Sequence, residues 1–134
     1  MEKEELYKGI IDYVENTDGF IKYNNMHIEE LKDNYAKMYV DITKDSLNPS
    51  NIAHGGLIFG LADSVMGMAA RTNNHNVVTI NSSIEYLKPG KGSRLTAETE
   101  VLKVGKTTAV YRANIYTDKN VLCAIATATY FFID

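Results

Sequence analysis

The residue pattern predicts an α+β fold in which an antiparallel sheet of five or six strands wraps around one long central helix. Two observations carry this expectation. The segment from Gly55 to about Thr72 is apolar on nearly every side, the mark of a helix enclosed by protein. Beyond residue 76 the chain reads as four strands separated by turns rich in Gly, Pro, Asn and Asp. A sheet that buries one face on such a helix satisfies both, because the helix has no polar side to offer water. With 134 residues and 45% apolar content there is material for one sizeable core but not two, so a single domain over 1–134 is expected.

The elements follow in order from local pattern. In residues 2–16, Leu6, Ile10, Ile11 and Val14 fall on one side with Glu and Lys elsewhere, and Asp18-Gly19 offers a stop, which predicts a short amphipathic surface helix. From Met26 to Thr43, Ala36, Met38, Val40 and Ile42 alternate with Tyr35, Lys37, Tyr39 and Asp41 behind turn chemistry at Asp33-Asn34, a hairpin with one buried face. "DSLNPSN" (45–51) is a loop by composition and leads into the enclosed helix. "VVTINSSIEYL" and "RLTAETEVLKV" are then separated by "KPGKGS". "TTAVYRANIYT" follows Gly105-Lys106, and "VLCAIATATYFFI" follows Asp118-Lys119-Asn120. These three hairpin-like connections predict an antiparallel meander. Alternation is clear in Tyr111, Ala113 and Ile115 and in Cys123, Ile125, Thr127, Thr129 and Phe131, and there is no internal repeat or low-complexity stretch.

Composition narrows the classes of partner. Lys plus Arg number 14 against 17 Asp plus Glu, a formal charge of −3, so no nucleic-acid partner is expected, and an anionic ligand would need a local basic patch. The single cysteine, Cys123, excludes internal disulfides, and "MEKEELYKGI" is charged with no apolar stretch behind it, which predicts a cytoplasmic protein. The most apolar stretch, Gly55 to Ala70, is shorter than the roughly 20 residues that span a bilayer and holds Asp63 at its centre, so no membrane anchor is expected.

One motif stands out. "NPSNIAHGGLIFGLAD" (Asn48 to Asp63) places an asparagine six residues before the histidine of HGG and an acid nine after it, and a later strand ends in "YLKPG" (Tyr86 to Gly90). From about residue 36 to the C-terminus, the chain resembles the hotdog-fold acyl-CoA thioesterases of the phenylacetate-degradation type. The resemblance implies a hotdog fold, hydrolysis of an acyl-CoA thioester with no cofactor beyond the coenzyme A of the substrate, and homodimers commonly paired into tetramers. It also implies that Asn48 contacts the substrate carbonyl or the attacking water, that His54 is the motif histidine, and that Thr79 stands where some relatives carry a water-orienting hydroxyl.

The chemistry accounts for that spacing on its own terms. Thioester hydrolysis needs an oxyanion stabiliser and a base or nucleophile to deliver water. Gly55 and Gly56 open the enclosed helix, where free N–H groups and the positive dipole end point outward and the missing side chains let a carbonyl approach; the Gly55 N–H is the expected oxyanion donor. Asp63 is the only acid in the helix, and a carboxylate in an apolar setting needs a partner, a proton or a task. It is the expected base or nucleophile, the structural alternative being a pairing with Ser64 or a backbone N–H. Eight residues along one helix separate Gly55 from Asp63 by about 12 Å, too far for both to address one carbonyl. A two-fold dimer with antiparallel central helices would build two shared sites.

The remaining candidates each have a plain counterpart. Asn48-Pro49 also suits an ordinary turn start, His54 also suits a loop-fixing histidine, and Asn81, Ser82 or Ser83 could serve in place of Thr79. Gly56 and the Lys88, Pro89, Gly90, Lys91 turn are substrate-binding candidates, and with Arg94, Lys103 and Lys106 the cations group around strand ends where they could meet coenzyme A phosphates or simply be solvated. Met66 and Met68 suit core filling or an acyl-chain wall. There is no G-x-S-x-G elbow, Cys123 sits in a strand pattern, His27, His54 and His75 lack ligand spacing for a metal, and no glycine-rich nucleotide fingerprint is present. A hotdog-fold enoyl-CoA hydratase and a non-catalytic acyl-CoA sensor are the alternatives from other classes. Aromatic, short-chain and medium-chain acyl groups all remain open, as do attack by Asp63 itself and activation of water.

Overall fold

A computed structural model describes residues 2–17 and 19–134. Helix α1 (Lys3–Asn16) forms where the apolar spacing predicts it and lays Tyr7, Ile10, Ile11 and Val14 against the core. Asp18 of the expected stop lies outside the described residues. Helix α2 (Phe20–Tyr23) is a single turn too short to leave a periodic signal, and its Phe20 ring lies over Gly60. Strands β1 (Met26–Lys32) and β2 (Tyr35–Asp41) form the expected hairpin, with Asn34 of its turn in the left-handed conformation, φ 54°, that asparagine tolerates.

The enclosed helix is α3 (Gly55–Arg71). Its Ile58, Leu61, Ala62, Val65, Met66, Met68, Ala69 and Ala70 are buried against the sheet, so both methionines are core residues. Burying each large side chain contributes about 1.5–3 kcal/mol, so Ile58, Leu61, Val65 and Met66 tie the helix firmly to the sheet.

The sheet differs from the expected meander in one connection. Strands β3 (Val77–Tyr86), β4 (Arg94–Val104), β5 (Thr108–Thr117) and β6 (Leu122–Phe132) join β1 and β2 in an all-antiparallel sheet of order β1-β2-β4-β5-β6-β3. The pairs β4-β5 and β5-β6 are hairpins as predicted. β3 instead pairs with β6 at the far edge, and "KPGKGS" crosses three strand spacings, about 14 Å, to deliver β4 beside β2. The crossing is traceable by its bonds: Leu87 N–H donates to Cys123 O (2.8 Å), Ala53 N–H to Gly90 O (3.0 Å), and Ile42 N–H to Ser93 O (2.8 Å). A Cβ at Gly90 would stand 3.1 Å from Ile58 and 3.2 Å from Ala53, so glycine lets the crossover pass beneath the start of α3. Gly92, at φ +113°, turns under the Asp118 carboxylate, which accepts bonds from Ser93 N–H and Oγ.

A second difference concerns the face of β6. Tyr111, Ala113 and Ile115 point inward as their alternation indicates, but in β6 it is Ala124, Ala126, Ala128, Tyr130 and Phe132 that meet the helix. Ile125, Thr127, Thr129 and Phe131 turn outward. The inward face combines three alanines, whose small side chains let the helix lie close to the sheet, with Tyr130 and Phe132 at the end of the strand, while the outward face carries two threonines.

Candidate active site

Two clusters form along α3. The first is built by the loop that enters it. Leu47 and Ala53 bridge to close a tight turn, and Asn48 staples it: its Oδ1 accepts from Ser50 N–H (2.9 Å) and Ile52 N–H (3.3 Å). Asn48 is therefore a turn residue and a site residue at once, since it also borders the cavity before α3 and its Nδ2 has no hydrogen-bond partner among the described residues. His54 caps the helix. Its Nδ1 accepts from Gly56 N–H at 2.8 Å, and its carbonyl accepts from Leu57 and Ile58 N–H. The loop-fixing alternative for His54 thus describes its contacts, with Nδ1 as the unprotonated nitrogen.

This capping leaves the Gly55 N–H without a partner among the described residues. It sits at the positive end of α3 beside a cavity of about 500 Å³ bordered by Asn48, Gly55, Gly56, Tyr86, Lys88, Pro89 and Gly90. Tyr86 closes one side, donating its hydroxyl to Gly55 O at 2.8 Å, and burial raises its phenol pKa. The "YLKPG" stretch thereby meets the HGG turn, although nothing in the spacing singled out Tyr86 itself.

The second cluster surrounds Asp63. Its expected burial is corrected: Asp63 and Ser64 are only half-buried, because the chain's own sheet leaves that side of α3 uncovered. Among the described residues neither Ser64 nor a backbone N–H bonds its carboxylate. Thr79 donates to Asp63 Oδ1 at 2.8 Å and the Tyr130 hydroxyl lies 2.7 Å from the same oxygen, while among the described residues no hydrogen bond reaches Oδ2. Thr79 and Tyr130 are directly paired across β3 and β6, and a register shift follows between Thr79 and Asn81. Asn81 is exposed and Ser83 bonds Thr127 on the outer face, so neither approaches Asp63. Ser82 faces the helix side, with its buried Oγ unpartnered among the described residues.

The cations divide between the two ends of the sheet. Lys88 borders the Gly55 cavity, and Lys91 lies in the same crossover beside Gly92 and Thr117. Arg94 is engaged elsewhere, donating to Asp41 at 2.7 and 3.3 Å with its guanidinium 3.9 Å from the Tyr39 ring centroid. Lys103 and Lys106 lie at the opposite end of β4, where Thr107 O meets Phe132 N–H, because an eleven-residue strand separates them from Arg94. Burial pushes the Cys123 thiol pKa up, against a nucleophilic role. Among the described residues no three His, Cys, Asp or Glu side chains group as a metal site, and no helix is long and apolar enough to cross a membrane.

With this geometry established, comparisons with known proteins agree on a lineage. The model of the thioesterase superfamily matches residues 50–124. A candidate esterase of Archaeoglobus fulgidus is 31% identical over 133 residues, covering 98% of this chain and 86% of that protein. The acyl-coenzyme A thioesterase PaaI of Escherichia coli is 31% identical over 99 residues, covering 73% of this chain and 71% of its own, and the structure of that PaaI superposes with a TM-score of 0.91 at 26% identity over 98% and 96% of the two chains. A Streptococcus mutans protein solved with acetyl-CoA bound matches with a TM-score of 0.79 at 29% identity over 87% of this chain and 93% of that one.

Proposed function

This chain belongs to the thioesterase superfamily and is a thioester hydrolase, a premise from which we propose that it hydrolyses a small aromatic or short- to medium-chain acyl-CoA at sites shared between two subunits. The observation that carries the proposal is that, among the described residues, neither the Gly55 N–H at the start of α3 nor the side-chain amide of Asn48 beside the same cavity has a hydrogen-bond partner. The acyl-CoA class is supported by the acyl-CoA thioesterase activity of PaaI and by the acetyl-CoA held in the Streptococcus mutans protein.

In this mechanism the thioester carbonyl oxygen takes the Gly55 N–H, with Asn48 Nδ2 as a second donor. Asp63 removes a proton from water as the water oxygen bonds to the carbonyl carbon. The oxyanion draws on the α3 dipole, which acts without reorganisation. Collapse of the intermediate breaks the carbon–sulfur bond and releases coenzyme A, whose thiolate takes up the proton from Asp63, leaving the free acid. Thr79 supports activation of water over direct attack by Asp63, because a hydroxyl beside the carboxylate can accept a hydrogen bond from the water while donating to Asp63. No cofactor is required.

Asp63 belongs to the partner's site, since about 12 Å of helix separates it from Gly55. The dimer is supported by the free edge of β3, where Val78 and Ile80 are 44% and 57% exposed, and by the half-covered side of α3. Antiparallel pairing of the two α3 helices would return the partner's Lys103 and Lys106 toward the end where Gly55, Lys88 and Lys91 lie, which supports a phosphate role for these cations. Arg94 is left to its structural pairing with Asp41. We take residues 1–134 as one domain working in the cytoplasm, two such dimers forming the tetramer.

The test is thiol release from a panel of acyl-CoAs, followed with a thiol reagent. Release on an aromatic or short- to medium-chain thioester supports the proposal. Hydration without release would make the protein a hydratase, and tight binding with neither reaction a sensor.

A further inference from the structure

We propose that Tyr130 is the positioning residue of the Asp63 carboxylate, holding Oδ1 against β6 so that Oδ2 is the oxygen presented to the reacting water. The proposal rests on the assignment of Asp63 as the base. The Tyr130 hydroxyl lies 2.7 Å from Asp63 Oδ1 and 2.8 Å from the Asp63 main-chain carbonyl oxygen. A phenol has one proton, so it is shared between two acceptors of the same residue, and that bridge ties the side chain of Asp63 to its own backbone. Thr79 adds a second donor to Oδ1 from the neighbouring strand. A carboxylate held on one oxygen from two strands presents the other in a fixed direction, whereas a freely rotating one would spend much of its time misaligned.

The phenol is itself firmly seated. Tyr130 is 2% exposed, its ring meets Tyr111 edge-on at 6.3 Å, and it lies beside Gly67, one helical turn beyond Asp63, where an added Cβ would stand 3.5 Å from the ring. Burial first, and then the adjacent Asp63 charge, raise its pKa well above the ordinary phenol range, so it remains a donor.

Tyr130→Phe keeps the ring and removes the bridge. The expected result is a folded enzyme whose kcat falls about tenfold or more while KM stays within about twofold, and the same change costs nothing further when added to Asp63→Asn. Tyr111→Phe is the control for simple loosening of the core, since its hydroxyl bonds Asn34 at 2.6 Å rather than Asp63; it should lower the melting temperature and leave kcat unchanged. Should Tyr130→Phe not fold, Gly67→Val presses on the ring from the helix side and should reproduce the loss of kcat at constant KM. Normal kcat in Tyr130→Phe beside an inactive Asp63→Asn overturns the positioning role alone, as does a loss that adds fully to that of Asp63→Asn. An Asp63→Asn enzyme as active as wild type removes the base assignment, and this proposal with it.

Discussion

Thr79 donates its hydroxyl to Asp63 Oδ1 at 2.8 Å, joining the edge strand β3 to the half-covered side of α3. The bond brings together two residues that the sequence marked separately. Replacing Asp63 by asparagine keeps the shape and removes the proposed base, so kcat on the preferred thioester should fall a hundredfold or more with the fold intact by circular dichroism. Thr79→Val removes one donor and should cost about tenfold. Activity of Asp63→Asn within about threefold of wild type would refute its role.

Gly55 offers an unusually clean test of the oxyanion donor. It is the first residue of α3, the position where proline suits a helix, its N–H bonds nothing among the described residues, and His54 before it already has the extended backbone (φ −61°, ψ 136°) that proline requires. Gly55→Pro should therefore delete the donor with little loss of helix and raise the barrier by about 3 kcal/mol, read from kcat/KM. A new Cβ would lie 3.3 Å from the Tyr86 hydroxyl in either variant, so Gly55→Ala, which keeps the N–H, measures the crowding separately. Equal losses in the two variants would assign the effect to Tyr86 and not to the N–H.

What the sequence made legible follows from how far apart the interacting residues lie. The α1 pattern, the Asp33-Asn34 turn and the enclosed helix are written in near neighbours, and the HGG turn carries its own cap. The pairing of β3 is not local: "KPGKGS" suits a tight turn as well as a crossover, and the need for glycine at 90 is set by Ile58 and Ala53. Tyr130 was not marked because β6 alternates on both faces, and which face is the inner one is set by the close approach of α3 to Ala124, Ala126 and Ala128. Arg94 looked free as a phosphate ligand because its partner, Asp41, lies on a strand whose neighbour the pattern did not specify.

Acid should unfold the protein through carboxylates held by local bonds. The Arg94 hydrogen bond lowers the pKa of Asp41, and the Ser93 hydroxyl and N–H lower that of Asp118. A carboxylate whose folded pKa is depressed contributes stability that is present above its unfolded value, 3.8 here, and is lost as pH falls through the folded value. The urea midpoint should hold steady down to about pH 5 and drop below about pH 4. Asp118→Asn should lower the midpoint at neutral pH and flatten the acid decline. A decline as steep as that of wild type would show that Asp118 contributes nothing to it.

The proposed sharing of the site between subunits has a functional test. If Asn48 and Gly55 come from one subunit and Asp63 from the other, a mixed dimer of two different inactive chains gathers both lesions into one site and leaves the second site wild type. Asn48→Asp is a suitable partner for Asp63→Asn, because an aspartate keeps the oxygen that accepts from Ser50 and Ile52 N–H while replacing the amide donor with an anionic oxygen that would repel the oxyanion. Equal amounts co-refolded with random exchange give mixed dimers in half the population, each with one good site of two. Activity should rise to about a quarter of wild type, while each variant refolded alone stays inactive. Were native mass spectrometry to find the mixed dimers while activity remained at the parental average, Asn48 and Asp63 would serve the same chain's site. The 12 Å of helix between Gly55 and Asp63 would then have to be bridged by the substrate rather than by a second subunit.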